Sequence, residues 1–235
     1  MDKEKYLNFP IALIKNAFID HKDCMNNIFD YSIYRRAQRE HSQINTEILN
    51  YVAFEKIGIT LGNARKSIEN FKLIANSISS NTPTTGIHKD IIFDYYKNSK
   101  DEFQIATFCT FCAVRSILGT KPYCKTNKAF IHARMFGYST IKEVPGFLNP
   151  IQNKYLQRYH IDKVLLELQM NWGLKLFADH CRGFYLSFTV SHEVLAKVCL
   201  NGKKSTKNNK LKNLKRDALI KAKNDLNLTA PTTAT

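Results

Sequence analysis

The segment from Asp101 to Gly119, DEFQIATFCTFCAVRSILG, constrains this chain most, because it is apolar on almost every side. It opens on acidic residues and closes on glycine, which are the start and stop signals of a single helix. A helix that is apolar all round cannot lie on a surface, so the pattern predicts a central helix covered by several neighbours. The 235-residue chain, 44% hydrophobic, has the material for such a core without covalent staples.

Upstream of that helix, apolar residues recur at spacings of three and four: Ile11, Ile14, Phe18, then Ile28, Tyr31, Tyr34. Helices are predicted from Pro10 onward, over Gln43 to Ile57, Gly62 to Ser79 and His88 to Asn98, with residues 81–86 as the clearest break. The aromatics of this half, among them Phe9, Phe18, Phe29, Tyr51 and Phe71, sit among aliphatic residues at helical spacing and read as core. A helical domain is expected over residues 1–98.

Downstream, a helix is predicted from about Thr126 to Phe136, capped by Thr126 or Asn127 and stopped by Gly137, and a longer one from Gln152 to Asn171. After Trp172 and Gly173 the period changes to two. Leu174 and Leu176, then Phe184, Leu186 and Phe188, alternate across the turn at residues 179–183, which predicts a β-hairpin, the one good strand pattern in the chain. Ser191 then caps a helix expected to end at Gly202.

Helix, helix, longer helix, hairpin, helix over residues 101–200 resembles a winged helix-turn-helix domain. With the rest of the pattern this predicts a mainly α protein: a helical N-terminal region, a winged-helix-like domain with one β-hairpin, and a basic, flexible tail over 203–235. The resemblance also implies that the third helix enters the major groove. In its stretch His160 to Leu174, the residues Ile161, Leu165, Leu168 and Trp172 fall on one inward face. The contacting residues would then be Gln152, Asn153, Lys154, Gln157, Arg158, His160 and Lys163, with Lys175 at the base of the wing and Arg182 at its tip. The chain departs from the pattern between Gly137 and Gln152, where 14 residues replace a turn of about 3 to 4. In a second register Phe103 to Leu118 is the first helix of the pair and Asn127 to Phe136 the reader, with Lys125, Asn127, Lys128, His132 and Arg134 as contacts.

Charge points the same way. Lys and Arg total 35 against 20 Asp and Glu, a net charge of +15, as expected for a partner with a phosphate backbone. Basicity is also what a lysine- and asparagine-rich coding bias produces, so it needs a location. Residues 203–223 hold nine basic residues and one acid, +8 of the total. Lys203, Lys204, Lys207, Lys210, Lys212, Lys215 and Arg216 are the candidate phosphate contacts there, on a marginal helix with an apolar stripe of Leu211, Leu214 and Ala218.

Catalytic patterns are missing from the sequence. It has no phosphate-binding glycine loop, no H-E-x-x-H and no G-x-S-x-G elbow. Cys109 and Cys112 lie inside the apolar helix without a second pair at zinc spacing, so they read as core. No spacing marks Tyr155, Tyr159 or Tyr185 as a nucleophile. No apolar run approaches the roughly 18 to 20 residues that cross a bilayer, the N-terminal segment lacks a cleavage site, and the six cysteines are scattered. The expectation is a cytoplasmic, non-enzymatic protein without metal or cofactor that binds duplex DNA. A transcriptional regulator or a replication-initiation factor of a mobile element or phage would fit, dimerising or recruiting a protein through its N-terminal helices. Two other classes stay open: a phage-type interaction or inhibitor protein, and a single-stranded nucleic-acid or RNA binder.

Overall fold

The computed structural model describes residues 5–61, 68–178 and 183–228, with the side chains of 203–207, 209, 210, 213, 219 and 221–228 outside that description. The described chain is mainly helical, with two small sheets.

Its N-terminal half departs from the expected run of helices at both ends. Tyr6–Pro10 is a strand, β1, and only then do Ile11–Ile14 turn as a 3-10 helix. Pro10 therefore ends a strand rather than starting a helix, and Ile11 donates its amide to the Pro83 carbonyl at 2.8 Å. The partner strand β2, Thr84–His88, overlaps the predicted break and pairs antiparallel with β1, Leu7 opposite Ile87 and Phe9 opposite Thr85. These four are the buried residues of the alternation, so both strands turn one face to the core.

Between the strands come α1 (His21–Glu40), α2 (Thr46–Tyr51) and α3 (Ile68–Asn76). Asp20 caps α1 by accepting the Asp23 amide, and Asn45 caps α2 through Ile48. α2 runs into a π-helical turn, Val52–Ile57, that ends at the left-handed Gly58. After β2, α4 (Lys89–Lys97) leads to α5 (Glu102–Leu118).

α5 is the central helix the sequence predicts. Asp101 and Gln104 form a reciprocal capping box, Gly119 ends the helix, and Phe108, Cys109, Cys112, Ala113 and Val114 are fully buried along it. Its buried neighbours come from both sides of the expected boundary near residue 100. Tyr95 of α4 stacks on Phe108 at 4.7 Å, and Phe18 meets Phe136 and Tyr155, each at 5.9 Å. The buried side chains from Leu7 to Leu186 form one cluster.

The C-terminal half continues with β3 (Cys124–Thr126), α6 (Lys128–Met135, capped by Asn127), α7 (Pro150–Leu156), α8 (Arg158–Asn171), β4 (Lys175–Phe177), β5 (Phe184–Ser187) and α9 (His192–Leu228). The predicted hairpin is present as β4 and β5, and β3 adds a third strand that the sequence reading missed, in the order β3-β5-β4, all antiparallel.

Two corrections concern helices. The expected Gln152 to Asn171 helix is two, because Gln157 is extended at φ −68° and ψ 137°. Tyr155 and Ile161 are both buried, although on an unbroken helix they would lie about 120° apart on different faces; with the break both reach the core. Secondly, α9 does not stop at Gly202 but runs on to Leu228. Gly202 serves close packing instead, since a Cβ there would come 3.1 Å from the Tyr185 hydroxyl. Among the described residues, no helix is long and apolar enough to cross a membrane.

Candidate nucleic-acid interface

α8 presents two opposite faces. Ile161, Val164, Leu165 and Leu168 are buried against the body, and Trp172 is half-buried on Phe111 at 4.7 Å, as their spacing predicts. The outward ridge is Tyr159, Lys163, Leu166 and Met170, at spacings of four, three and four, with Tyr159 64%, Leu166 55% and Met170 74% exposed. The sequence reading passed over this ridge, although its period parallels the inward stripe.

Of the seven candidate readers on these helices, three are engaged elsewhere. Gln152 is buried and completes a capping box with Asn149, its side-chain oxygen accepting the Asn149 amide at 3.2 Å. It is a capping residue, not a solvent-facing reader. Asn153 donates to the Leu148 carbonyl at 2.9 Å, and Lys154 pairs with Glu102 at 2.8 Å. His160 is half-buried, edge-on to the rings of Tyr155 at 5.9 Å and Tyr159 at 5.2 Å.

The solvent-facing candidates are Gln157, Arg158 and Lys163. Arg158 has an 88% exposed side chain with Nε 3.5 Å from one oxygen of Asp162, while Lys128 at the start of α6 pairs with the other oxygen. Lys163 lies over the ring of Tyr159, 5.4 Å from its centroid. Asp162 is thus shared between Arg158 and Lys128 and offsets part of the positive charge at the start of α8.

In the second register Lys125 and Asn127 are exposed and Lys128 is half-buried, but the two later contacts are covered. His132 and Arg134 of α6 are buried, Arg134 against the Phe130 ring at 5.0 Å and His132 stacked beside Phe136. Burial, reinforced by nearby Lys128, holds the His132 imidazole below its usual pKa, and burial likewise lowers that of Arg134. Lys125 is exposed on β3, its ammonium 5.9 Å from the centroid of the Tyr185 ring.

α9 is rooted on β4 and β5, where its Leu195 and Cys199 are buried. Lys175 is half-buried in β4 opposite Ser187, and Arg182 lies outside the described residues. Beyond Gly202 the backbone of Lys203, Lys204, Lys207 and Lys210 continues the helix, with their side chains outside the described set, and Lys212, Lys215 and Arg216 are exposed. Leu211 and Leu214 are exposed beside them.

Two other features bear on the candidate site. Phe147, in the segment between α6 and α7, is 98% exposed. Cys109 and Cys112 are buried in α5 within electrostatic reach of Cys24, and burial pushes all three thiols well above the ordinary range. Comparison with protein-family models, curated proteins and solved structures finds no match to this chain.

Proposed function

We propose that this chain is a non-enzymatic, duplex-DNA-binding protein of the transcriptional-regulator or replication-initiation kind, using residues 101–200 as a winged-helix module and α9 as a basic arm. One observation carries the reading. The order α5, β3, α6, α8, β4, β5, interrupted only by the short α7 segment, and its β3-β5-β4 sheet match what a winged helix would use, and a helix whose residues 203–223 hold +8 of the +15 follows at once.

In this reading Arg158 and Lys163 contact the major-groove side of the duplex, and Gln157 sits at the start of the same helix. Lys212, Lys215 and Arg216 lie along phosphates. The test is a salt titration of duplex binding by the intact protein, by an R158A/K163A variant and by a K212Q/K215Q/R216Q variant. The first variant lowers discrimination between sequences, and the second lowers affinity for all sequences alike. Absence of duplex binding by the intact protein at low salt overturns the reading, as does a stronger preference for single strands.

A second reading, a protein-interaction factor, draws on Phe147 and on the apolar ridge of α8, since exposed large side chains of this kind mark docking sites. Nuclease-insensitive co-purification of a protein partner, lost on Phe147→Ala, favours it.

A further inference from the structure

On the opposite flank of α8 from its base-facing start, a groove of about 650 Å³ opens between α4, the first half of α5 and the end of α8. Its floor is aromatic and aliphatic: Ile91, Tyr95, Phe103, Phe111 and Trp172. Its rim is acidic. Among the described residues that line it, Asp90, Asp94 and Glu167 face one cation, Lys100, which pairs with Asp94 at 2.5 Å and leaves Asp90 and Glu167 as the uncompensated charges of the lining. On a chain of net charge +15, an acidic rim around an apolar floor attracts the basic surface of another copy and suits a basic amphipathic helix.

The chain carries such a helix. Residues 203–223 hold +8, and the exposed Leu211, Leu214 and Ala218 follow one another at spacings of three and four on one side of α9. Leu211 and Leu214 stay more than half exposed, so they do not fill their own chain's groove. α9 is continuous from its root at Leu195 and Cys199, and a helix that does not bend cannot fold its distal part back onto the body that holds its base. Its 26 residues after Gly202 extend about 39 Å, enough to reach a neighbouring molecule.

We infer that two copies of this chain pair reciprocally, the distal part of α9 of each laying Leu211, Leu214 and Ala218 into the groove of the other, with its lysines against Asp90 and Glu167. Such a dimer has a two-fold axis and two identical contacts. The outward lysines of each docked helix stay free, so the pairing does not depend on the nucleic-acid reading.

The test is sedimentation of nuclease-treated protein across about 1 to 100 µM, the range of modest association. The intact chain sediments as a dimer that weakens as salt rises. A groove variant, D90K/E167K, and a helix variant, L211D/L214D, each raise the dimer dissociation constant at least ~30-fold while leaving the circular dichroism spectrum unchanged. Mixed one to one, the two variants recover a heterodimer, because the helix of the first meets the intact groove of the second. Recovery is a result that simple misfolding of either variant does not give. A monomeric intact chain overturns the inference, as does a dimer indifferent to both variants or a mixture that fails to pair.

Discussion

Gly137 is where the C-terminal half is clamped against the N-terminal one, and replacing it with alanine tests that clamp. The residue ends α6 at φ +80°, in the left-handed region, with the Tyr138 amide donating back to the Ala133 carbonyl at 2.9 Å. An alanine there meets two separate penalties. The left-handed backbone costs a residue with a Cβ about 1 to 2 kcal/mol. The Cβ would also stand 2.9 Å from both the nitrogen and the Cα of Lys15, backbone atoms that no side-chain rotation moves aside. Forcing that turn outward is overpacking, worth a further ~1 to 3 kcal/mol.

Gly173 supplies the control. It too is left-handed, at φ +72°, but a Cβ there meets nothing within 4 Å. Gly173→Ala therefore costs only the backbone part, about 1 to 2 kcal/mol, and Gly137→Ala about 3 kcal/mol. For a chain of this length the latter corresponds to a drop in Tm of roughly 6 to 12 °C. Urea unfolding followed by circular dichroism measures both. Equal losses from the two substitutions refute the reasoning, because they mean that the Lys15 turn yields freely and that α6 is not held against the N-terminal segment.

Three further outcomes follow from the geometry. Asp101→Ala removes half of the α5 capping box and lowers stability by about 1 kcal/mol, read in the same urea titration, whereas Asp101→Asn keeps the acceptor and most of the stability. His132 has a native pKa below its ordinary 6.5, so as pH falls through and below 6.5 the unfolded chain takes up a proton that the native chain resists. Stability at this residue is full above that pH and declines toward the native pKa, and His132→Gln removes this one-proton slope from the pH profile of urea unfolding. If Lys212, Lys215 and Arg216 each neutralise a phosphate, their replacement by glutamine makes the plot of log affinity against log salt shallower by about 2.7, and an unchanged slope excludes those contacts.

What the sequence made legible was whatever it encodes within a few residues. The bounds of α5 are written in Asp101, Gln104 and Gly119, and the cap of α6 in Asn127, so both helices were readable. The β1–β2 pair joins Tyr6 to His88 across more than eighty residues, and each strand is too short for Leu7 and Phe9, or Thr85 and Ile87, to establish a period. The break at Gln157 has no local cause either. It follows from the burial of Tyr155 beside Phe18, a contact between segments far apart in the chain. At the candidate interface the sequence supplied residue types but not their neighbours: nothing local says that Lys154 meets Glu102, that Gln152 turns back on Asn149, or that His132 and Arg134 are covered. Gly202 misled for the opposite reason, since glycine after an apolar stretch usually ends a helix, while here it admits the Tyr185 hydroxyl.

The outward ridge of α8 also changes what kind of DNA sequence the proposed module would prefer. With Arg158 beside Asp162, and with Leu166 and Met170 pointing to solvent, this helix has few groups that hydrogen-bond base edges beyond its first turns. Apolar side chains in the major groove distinguish bases through one group, the C5-methyl of thymine. The preferred duplex is then thymine-rich where Leu166 and Met170 lie, and replacing those thymines with uracil keeps every base pair and every phosphate while deleting the methyls. Each methyl removed from an apolar contact costs about 0.8 kcal/mol, roughly fourfold in affinity. Selected high-affinity duplexes made with uracil should therefore bind several-fold more weakly, with the salt slope unchanged because no phosphate contact is lost. L166A/M170A should abolish the difference between the two duplexes. If uracil has no effect while that variant loses function in the cell, the ridge meets a protein rather than the floor of a groove, and the interaction reading displaces the DNA-reading role of α8.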